Sequence, residues 1–201
     1  MTFFCTAFLK LVNDPIASKY PTSLLEHHHV NYTNRLLGMA ENDIFKNLSW
    51  ETRGEVLRVI EDVIMATDLG NHLKSRDAFR QQLATQPSNY DKTNAEHRLL
   101  LLDTVMTCCD LCATALPEPI SHSVVIDIFE EFFLQGEEEK ELGHTPGPMY
   151  ERVGASVGRL QRDFIDFIPA TAYKNLAEFF PQLRYMLAHT LDNRTYWDQH
   201  A

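Results

Sequence analysis

Apolar residues recur at helical spacing along most of this chain, and this pattern constrains the fold more than any other feature of the sequence. One such stripe consists of Val56, Leu57, Ile60, Val63 and Ile64. Residues three and four apart lie on one face of an α-helix, whereas a half-buried strand needs strict alternation, which no segment shows. The pattern predicts an all-α fold, and a length of 201 residues predicts one domain over 1–201.

Prolines and small polar residues divide the pattern into helices. A strongly apolar helix is predicted from about Ala95 to Leu116, where Pro117 and Pro119 end it. The charged run Glu137–Glu141 is most simply a solvated helix face. The helix that carries Val56 is predicted to start at Ser49 or Thr52. Another helix is predicted to be capped by Ser121 and stopped by Gly136. Three more helices are predicted over 155–168, 173–180 and 183–197.

Charge and hydropathy exclude several kinds of partner. Lys and Arg total 18 against 28 Asp and Glu, which gives a net charge of −10. That balance argues against a nucleic-acid backbone or an anionic membrane surface as the main partner. No stretch reaches the roughly 18–20 apolar residues that cross a bilayer, and the opening MTFFCTAFLKLV lacks the cationic segment of a secretory signal. We therefore expect neither a nucleic-acid partner nor a membrane span.

The cysteines favour a reducing compartment. Cys108, Cys109 and Cys112 lie in one apolar helical pattern, and adjacent cysteines in a helix are poor disulfide partners. A cytoplasmic location follows as an expectation. Cys109 and Cys112 have the spacing of a zinc or redox pair, but no second such pair or nearby histidine pair completes a site. Buried small apolar side chains are the simpler interpretation.

Two of the local features that could carry chemistry lie in the first third of the chain. Glu26 precedes three histidines, His27–His29, and a carboxylate beside imidazoles could bind a transition metal or move protons. At most two of these side chains can point at one ion, because neighbouring residues face different sides of a helix. Thr67 and Asp68 end an apolar helix, where a plain helix terminus is the structural alternative.

The other two features lie in the second half. Asp110 is flanked by cysteines and leucine inside an apolar helical pattern, and a buried carboxylate there must be paired, neutral or bound to metal. Gln161 and Phe164 are three residues apart and share one helical face. They are either a surface amide beside a core aromatic, or a pair in which the ring stacks on a planar ligand and the amide binds its edge.

Five segments in order point to a known family. The chain resembles the class I cyclic nucleotide phosphodiesterases, over the later two thirds of their helical catalytic domain. The segments are LLEHHH (24–29), IMATDLGNH (64–72), MTCCDL (106–111), EEFFLQGEEE (130–139) and LQRDFIDFI (160–168).

The resemblance implies an activity and a metal side of the site. These signal-transduction enzymes hydrolyse the 3′-phosphoester of cyclic AMP or cyclic GMP to the 5′-nucleotide, with two divalent metals, zinc and magnesium or manganese. Asp110 matches a carboxylate that ligates the tighter metal. Glu26 matches a glutamate that orients metal-bound water. Thr67 and Asp68 match residues that hold waters on the second metal.

The resemblance also implies a base side of the site. Gln161 matches the glutamine that hydrogen-bonds the purine edge, and Phe164 and Ile128 match the two jaws that sandwich the purine. Phe132 and Leu111 are expected in the same pocket. Cyclic-AMP-selective members have asparagine where this chain has Ala113. One residue is not enough to decide between cyclic AMP and cyclic GMP.

The match fails upstream. Family members carry HNxxxxH and HDxxH motifs, which supply the leaving-group acid, two histidine metal ligands and an aspartate that bridges both metals, and this chain has neither motif. The expectation is a catalytic domain without its N-terminal part, which alone hydrolyses neither nucleotide and is poorly soluble because apolar contact surface is uncovered. The alternative is a non-catalytic short product that binds a nucleotide, forms a homodimer or associates with full-length enzyme.

Overall fold

A computed structural model describes residues 5–201, apart from the side chains of residues 71 and 73–76, so the first four residues of the opening segment lie outside it. All regular elements in the described part are helical, which confirms the all-α prediction. None of the described helices combines the length and the apolarity needed to cross a bilayer. The α-helices in chain order are α1 (Thr6–Leu11), α2 (Pro15–Lys19), α3 (Leu24–Leu37), α4 (Trp50–Met65), α5 (Leu69–Phe79), α6 (Ala95–Asp110), α7 (Glu118–Glu141), α8 (Val157–Phe167), α9 (Pro169–Phe179) and α10 (Arg184–Gln199).

Side-chain caps begin several helices where the sequence indicates them. Ser49 caps α4, because its Oγ accepts the backbone N–H of Thr52 at 3.2 Å. Of the two predicted starts, Ser49 is therefore correct and Thr52 lies inside the first turn. Asn94 caps α6 by accepting the backbone N–H of Glu96 at 2.9 Å. Each cap satisfies a donor that the first helical turn leaves without a partner.

The two boundaries predicted for α7 are wrong. The helix begins at Glu118, directly after Pro117, so that Ser121 lies within its first turn. Proline is favoured at a helix start because its ring sets φ and it lacks the N–H that would go unused there. At the other end, Gly136 lies inside the helix, which continues to Glu141. A Cβ at Gly136 would lie 2.9 Å from the carbonyl carbon of Tyr150, so glycine is needed there for close packing.

Helix α6 also ends earlier than predicted. It stops at Asp110, and the chain turns through a 3₁₀ segment, Cys112–Ala115, before Pro117. The backbone carbonyls in this turn find partners on later helices: the Tyr173 hydroxyl donates to the carbonyl of Cys108 at 2.6 Å, and the Asn193 amide donates to that of Thr114 at 3.0 Å. These bonds replace helical ones, so tertiary contacts decide where α6 ends.

The core is built mainly around the last helix. Helix α10 packs on α8 and α9, while α6 packs on α4, α5 and α9. Gly158 allows the start of α8 to approach the end of α10, because a Cβ there would meet the backbone of His200 at 2.5 Å. One apolar cluster joins α7, α8 and α10 and contains Val125, Phe129, Phe133, Ile165 and Trp197. A second joins the end of α6 to α9 and contains Cys108, Ala115, Ala172, Tyr173 and Leu176.

Two surface predictions need correction. In the charged run Glu137–Glu141 most side chains are solvated, but Glu139 is buried and accepts a hydrogen bond from Gln135 Nε2 at 2.7 Å. All four cysteines are free, yet Cys109 and Cys112 are exposed rather than buried. Cys109 lies in the last turn of α6, and Cys112 begins the 3₁₀ segment that follows. Cys108 is buried, and burial raises the pKa of its thiol to about 12.

Candidate functional site

A largely apolar cavity of about 420 Å³ lies where the end of α6 meets α7 and α8. Its volume falls in the range of roughly 300–1,000 Å³ that small-molecule sites occupy. The lining residues are Leu69, Asp110, Leu111, Ala113, Thr114, Val125, Ile128, Phe129, Phe132, Met149, Leu160, Gln161, Phe164 and Ile168.

Helical spacing explains how two helices build most of the wall. Helix α7 contributes Val125, Ile128, Phe129 and Phe132, at offsets of three, four and seven residues, which place side chains on one face. Helix α8 contributes Gln161 and Phe164 in the same way, three residues apart. Phe129 and Phe132 also make a T-shaped contact with ring centroids 5.6 Å apart, a favourable geometry for an aromatic pair.

Inside the cavity the polar Gln161 is buried, whereas the apolar Ile128 at its rim is exposed. Gln161 is 7% exposed, so its amide is held among apolar neighbours and carries both donors and an acceptor. Ile128 is 41% exposed at the rim, which is unusual for isoleucine, and Phe164 is half-buried. An occupant that filled the cavity would cover this exposed apolar surface.

Asp110 is the acidic residue of the lining. The residue is solvent-exposed, so the expectation of a buried carboxylate is wrong. Desolvation by the surrounding protein still raises the pKa of its carboxyl above the usual range, and the positive charge of nearby His29 opposes that shift. His29 belongs to α3, so the histidine-rich segment approaches the end of α6. Within the part of the chain that the structure describes, no arginine or lysine forms an ion pair with Asp110. The carboxylate is therefore available to a cationic or hydrogen-bonding ligand.

The remaining predicted residues lie outside the lining. Glu26 is half-buried on α3, three residues before His29 and thus on the same helical face. The Thr67 hydroxyl donates to the backbone carbonyl of Ile64 at 2.8 Å, at the end of α4. Asp68 accepts the Ser23 hydroxyl at 2.6 Å and the backbone N–H of Gly70 at 2.8 Å, directly before Leu69 in the cavity wall. The Ser23–Asp68 bond ties the start of α3 to the start of α5.

The structure thus brings together six of the nine predicted site residues, namely Asp110, Leu111, Ile128, Phe132, Gln161 and Phe164. Their roles stay predictions. Sequence reasoning missed Met149, which lies in a 3₁₀ turn and carries no periodic signal. The adjacent Tyr150 packs its backbone on Gly136 and its ring on Phe132 at 5.6 Å, and these contacts bring Met149 to the cavity. Gly136, at the predicted end of the helix, was the one signal that could have indicated this approach.

The described residues do not by themselves fit a catalytic metal centre. Among them, no three His, Cys, Asp or Glu side chains lie close enough together to hold an ion. Asp110 and His29 supply at most two donors, whereas a catalytic zinc uses about three protein ligands. The donor set in the described part of the chain therefore falls short of a complete metal site.

An all-α fold with an apolar cavity of this volume, edged by one carboxamide and one carboxylate, has the size and the chemistry that are typical of small-molecule sites. Residues 4–190 match the family described as 3′5′-cyclic nucleotide phosphodiesterase. The chain belongs to this family, whose members are generally metal-dependent.

Similar curated proteins carry the same kind of name. The chain is 34% identical over 197 residues to a protein named cGMP-specific 3′,5′-cyclic phosphodiesterase from Drosophila pseudoobscura pseudoobscura, and the match covers 97% of this chain and 18% of that protein. The proteins of this name from Drosophila melanogaster and Drosophila virilis are also 34% identical, with 17% and 22% of their lengths covered. The chain thus spans about a fifth of the length of these relatives.

Proposed function

We propose that this chain forms the base-binding part of an enzyme that hydrolyses 3′,5′-cyclic nucleotides to 5′-nucleotides and that prefers cyclic GMP as its substrate. The family membership supports the reaction class. The names of the relatives support cyclic GMP, and Ala113 in the cavity wall is compatible with it. The observation that carries the proposal is that Gln161, Phe164, Ile128 and Asp110 line one cavity.

The geometry supports binding of a purine. A flat ring between Phe164 and Ile128 would gain contact with both faces and cover the exposed part of Ile128. The Gln161 amide can match a donor and an acceptor on the edge of the ring, in surroundings dry enough to make those hydrogen bonds count. Phe132 and Leu111 add apolar contacts and exclude water.

The phosphate side of the reaction needs groups that the described residues do not supply. Asp110 is the group nearest to that role: desolvation raises the pKa of its carboxyl, and His29 lies close enough to oppose that shift. The zinc and magnesium or manganese that the resemblance implies would need further ligands beside Asp110. We therefore propose that the 201-residue chain binds cyclic nucleotide and does not hydrolyse it.

The test is fluorescence titration of the purified chain with N-methylanthraniloyl cyclic GMP, together with chromatographic detection of 5′-GMP. Gln161→Ala should raise Kd about tenfold, because the pair of hydrogen bonds to the base that it removes is worth about 1–2 kcal/mol net. Gln182→Ala is the matched control, since Gln182 is an exposed glutamine remote from the lining, and it should leave Kd within about twofold.

Three results would contradict the proposal. Failure of the unsubstituted chain to bind the nucleotide would remove the base-binding role. An equal change in Kd for the two glutamine variants would show that Gln161 does not bind the base. Metal-dependent release of 5′-GMP by the chain would overturn the claim that it binds without turnover.

A further inference from the structure

The segment that follows α6 forms part of the cavity wall, and side chains of later helices bind its backbone on the side away from the cavity. This exit segment, residues 108–116, has backbone carbonyls that lose their helical partners because α6 ends at Asp110. Later helices provide replacements. Asn193 Nδ2 donates to the carbonyls of Thr114 at 3.0 Å and Leu116 at 2.9 Å, and His189 Nδ1 lies 3.1 Å from that of Ala115.

We propose that Asn193 is a positioning residue that fixes the exit segment and thereby sets the width of the nucleotide cavity. The inference rests on the function proposed above, because it concerns the same cavity. Asn193 belongs to α10, which contributes no residue to the lining, so its effect passes through the backbone of Thr114.

The burial of Asn193 is the first argument. The residue is 1% exposed, and its Oδ1 is buried without a hydrogen-bond partner among the described residues. An unsatisfied buried acceptor is unfavourable, so an apolar side chain of similar volume would suit the site better if packing alone mattered. Both useful contacts of the amide are made by its nitrogen, which bridges two carbonyls two residues apart.

The position of those carbonyls is the second argument. Thr114 lines the cavity, and its hydroxyl donates to the backbone carbonyl of Leu111 at 2.8 Å, which closes the turn on itself. Asp110, Leu111 and Ala113 lie in the same short turn and line the same cavity. At the other end of the segment, the Tyr173 hydroxyl holds the carbonyl of Cys108 at 2.6 Å. The wall is therefore anchored at both ends by buried side chains.

The test compares Asn193→Leu with Thr190→Val in the purified chain. Thr190 is a matched control because it is a fully buried polar residue of the same helix, whose hydroxyl donates to the carbonyl of Met186 one turn earlier and, among the described residues, to no group of the exit segment. Amide hydrogen exchange, read by mass spectrometry on peptides covering 111–116, reports the wall directly. Titration with N-methylanthraniloyl cyclic GMP reports the cavity.

Asn193→Leu should speed exchange in 111–116 at least about tenfold and raise the nucleotide Kd at least about tenfold. Thr190→Val should change both by less than about threefold, even where it lowers the melting temperature. Tyr173→Phe, which removes the anchor at Cys108, should give a smaller loosening of the same segment. If Asn193→Leu does not fold, Asn193→Ala, which removes the same two hydrogen bonds, takes its place in both measurements.

Unchanged exchange in the Asn193 variant would overturn the inference, as would faster exchange with an unchanged Kd. If the unsubstituted chain binds no nucleotide, the proposed function is wrong, and exchange in 111–116 alone then decides whether Asn193 holds the segment.

Discussion

The sharpest prediction concerns the two helical glycines Gly136 and Gly54. Gly136 lies in α7, where a Cβ would sit 2.9 Å from the carbonyl carbon of Tyr150 and nearer still to its oxygen. Gly54 lies in α4, and a Cβ there would meet nothing within 4 Å. Glycine to alanine therefore reports helix propensity alone at Gly54, and helix propensity together with the loss of close packing at Gly136.

The magnitudes follow from the geometry. Alanine in a helix interior is favoured over glycine by about 1 kcal/mol, so Gly54→Ala should stabilise the chain by about that amount. At Gly136 the turn that carries Tyr150 must retreat by more than about 0.6 Å, because that distance restores only the carbon–carbon contact to about 3.5 Å, and the carbonyl oxygen lies closer still. Overpacking of this kind costs about 3 kcal/mol at the upper end of its range, which leaves a net loss of about 2 kcal/mol after the gain in propensity.

Thermal unfolding measures the difference. For a chain of this size 1 kcal/mol corresponds to about 2–4 °C, so Gly54→Ala should raise Tm by about 2–4 °C and Gly136→Ala should lower it by about 4–8 °C. Because Met149 lines the cavity and directly precedes Tyr150, Gly136→Ala should also weaken binding of the fluorescent cyclic GMP analogue. A rise in Tm for both variants would refute the packing argument.

Two further predictions concern titratable groups. Burial lowers the pKa of His122, an effect that Glu118 opposes and His200 reinforces, so His122 stabilises the fold above its ordinary pKa and that contribution is lost as pH falls. The free energy of unfolding of His122→Gln, measured with urea between about pH 7 and 5, should therefore fall less on acidification than that of His144→Gln, which alters an exposed histidine; parallel curves would contradict this. Desolvation raises the pKa of Asp110, although the residue is exposed, so Asp110→Asn should increase stability slightly relative to the parent, and increasingly so as pH rises through the acid range, whereas Asp127→Asn, on the surface of α7, should not.

Much of the fold follows from local sequence signals. Apolar periodicity indicated the helices, Ser49 and the prolines at 169 and 181 indicated starts and breaks, and all of these act within one or two turns. The offsets of three and four residues likewise place Ile128 with Phe132, and Gln161 with Phe164, on single helical faces. The ordered segments around these residues were sufficient to indicate the family, and the match of residues 4–190 to that family confirms it.

The tertiary structure alone decided the features that join distant parts of the chain. The early end of α6 depends on Tyr173 and Asn193, which lie 65 and 79 residues from the carbonyls they bind. The continuation of α7 through Gly136, and with it the place of Met149 in the cavity, depends on contact with Tyr150. Helical periodicity reports which face of a helix is apolar, but it carries no information on which other backbone will approach that face or which buried side chain will satisfy a freed carbonyl.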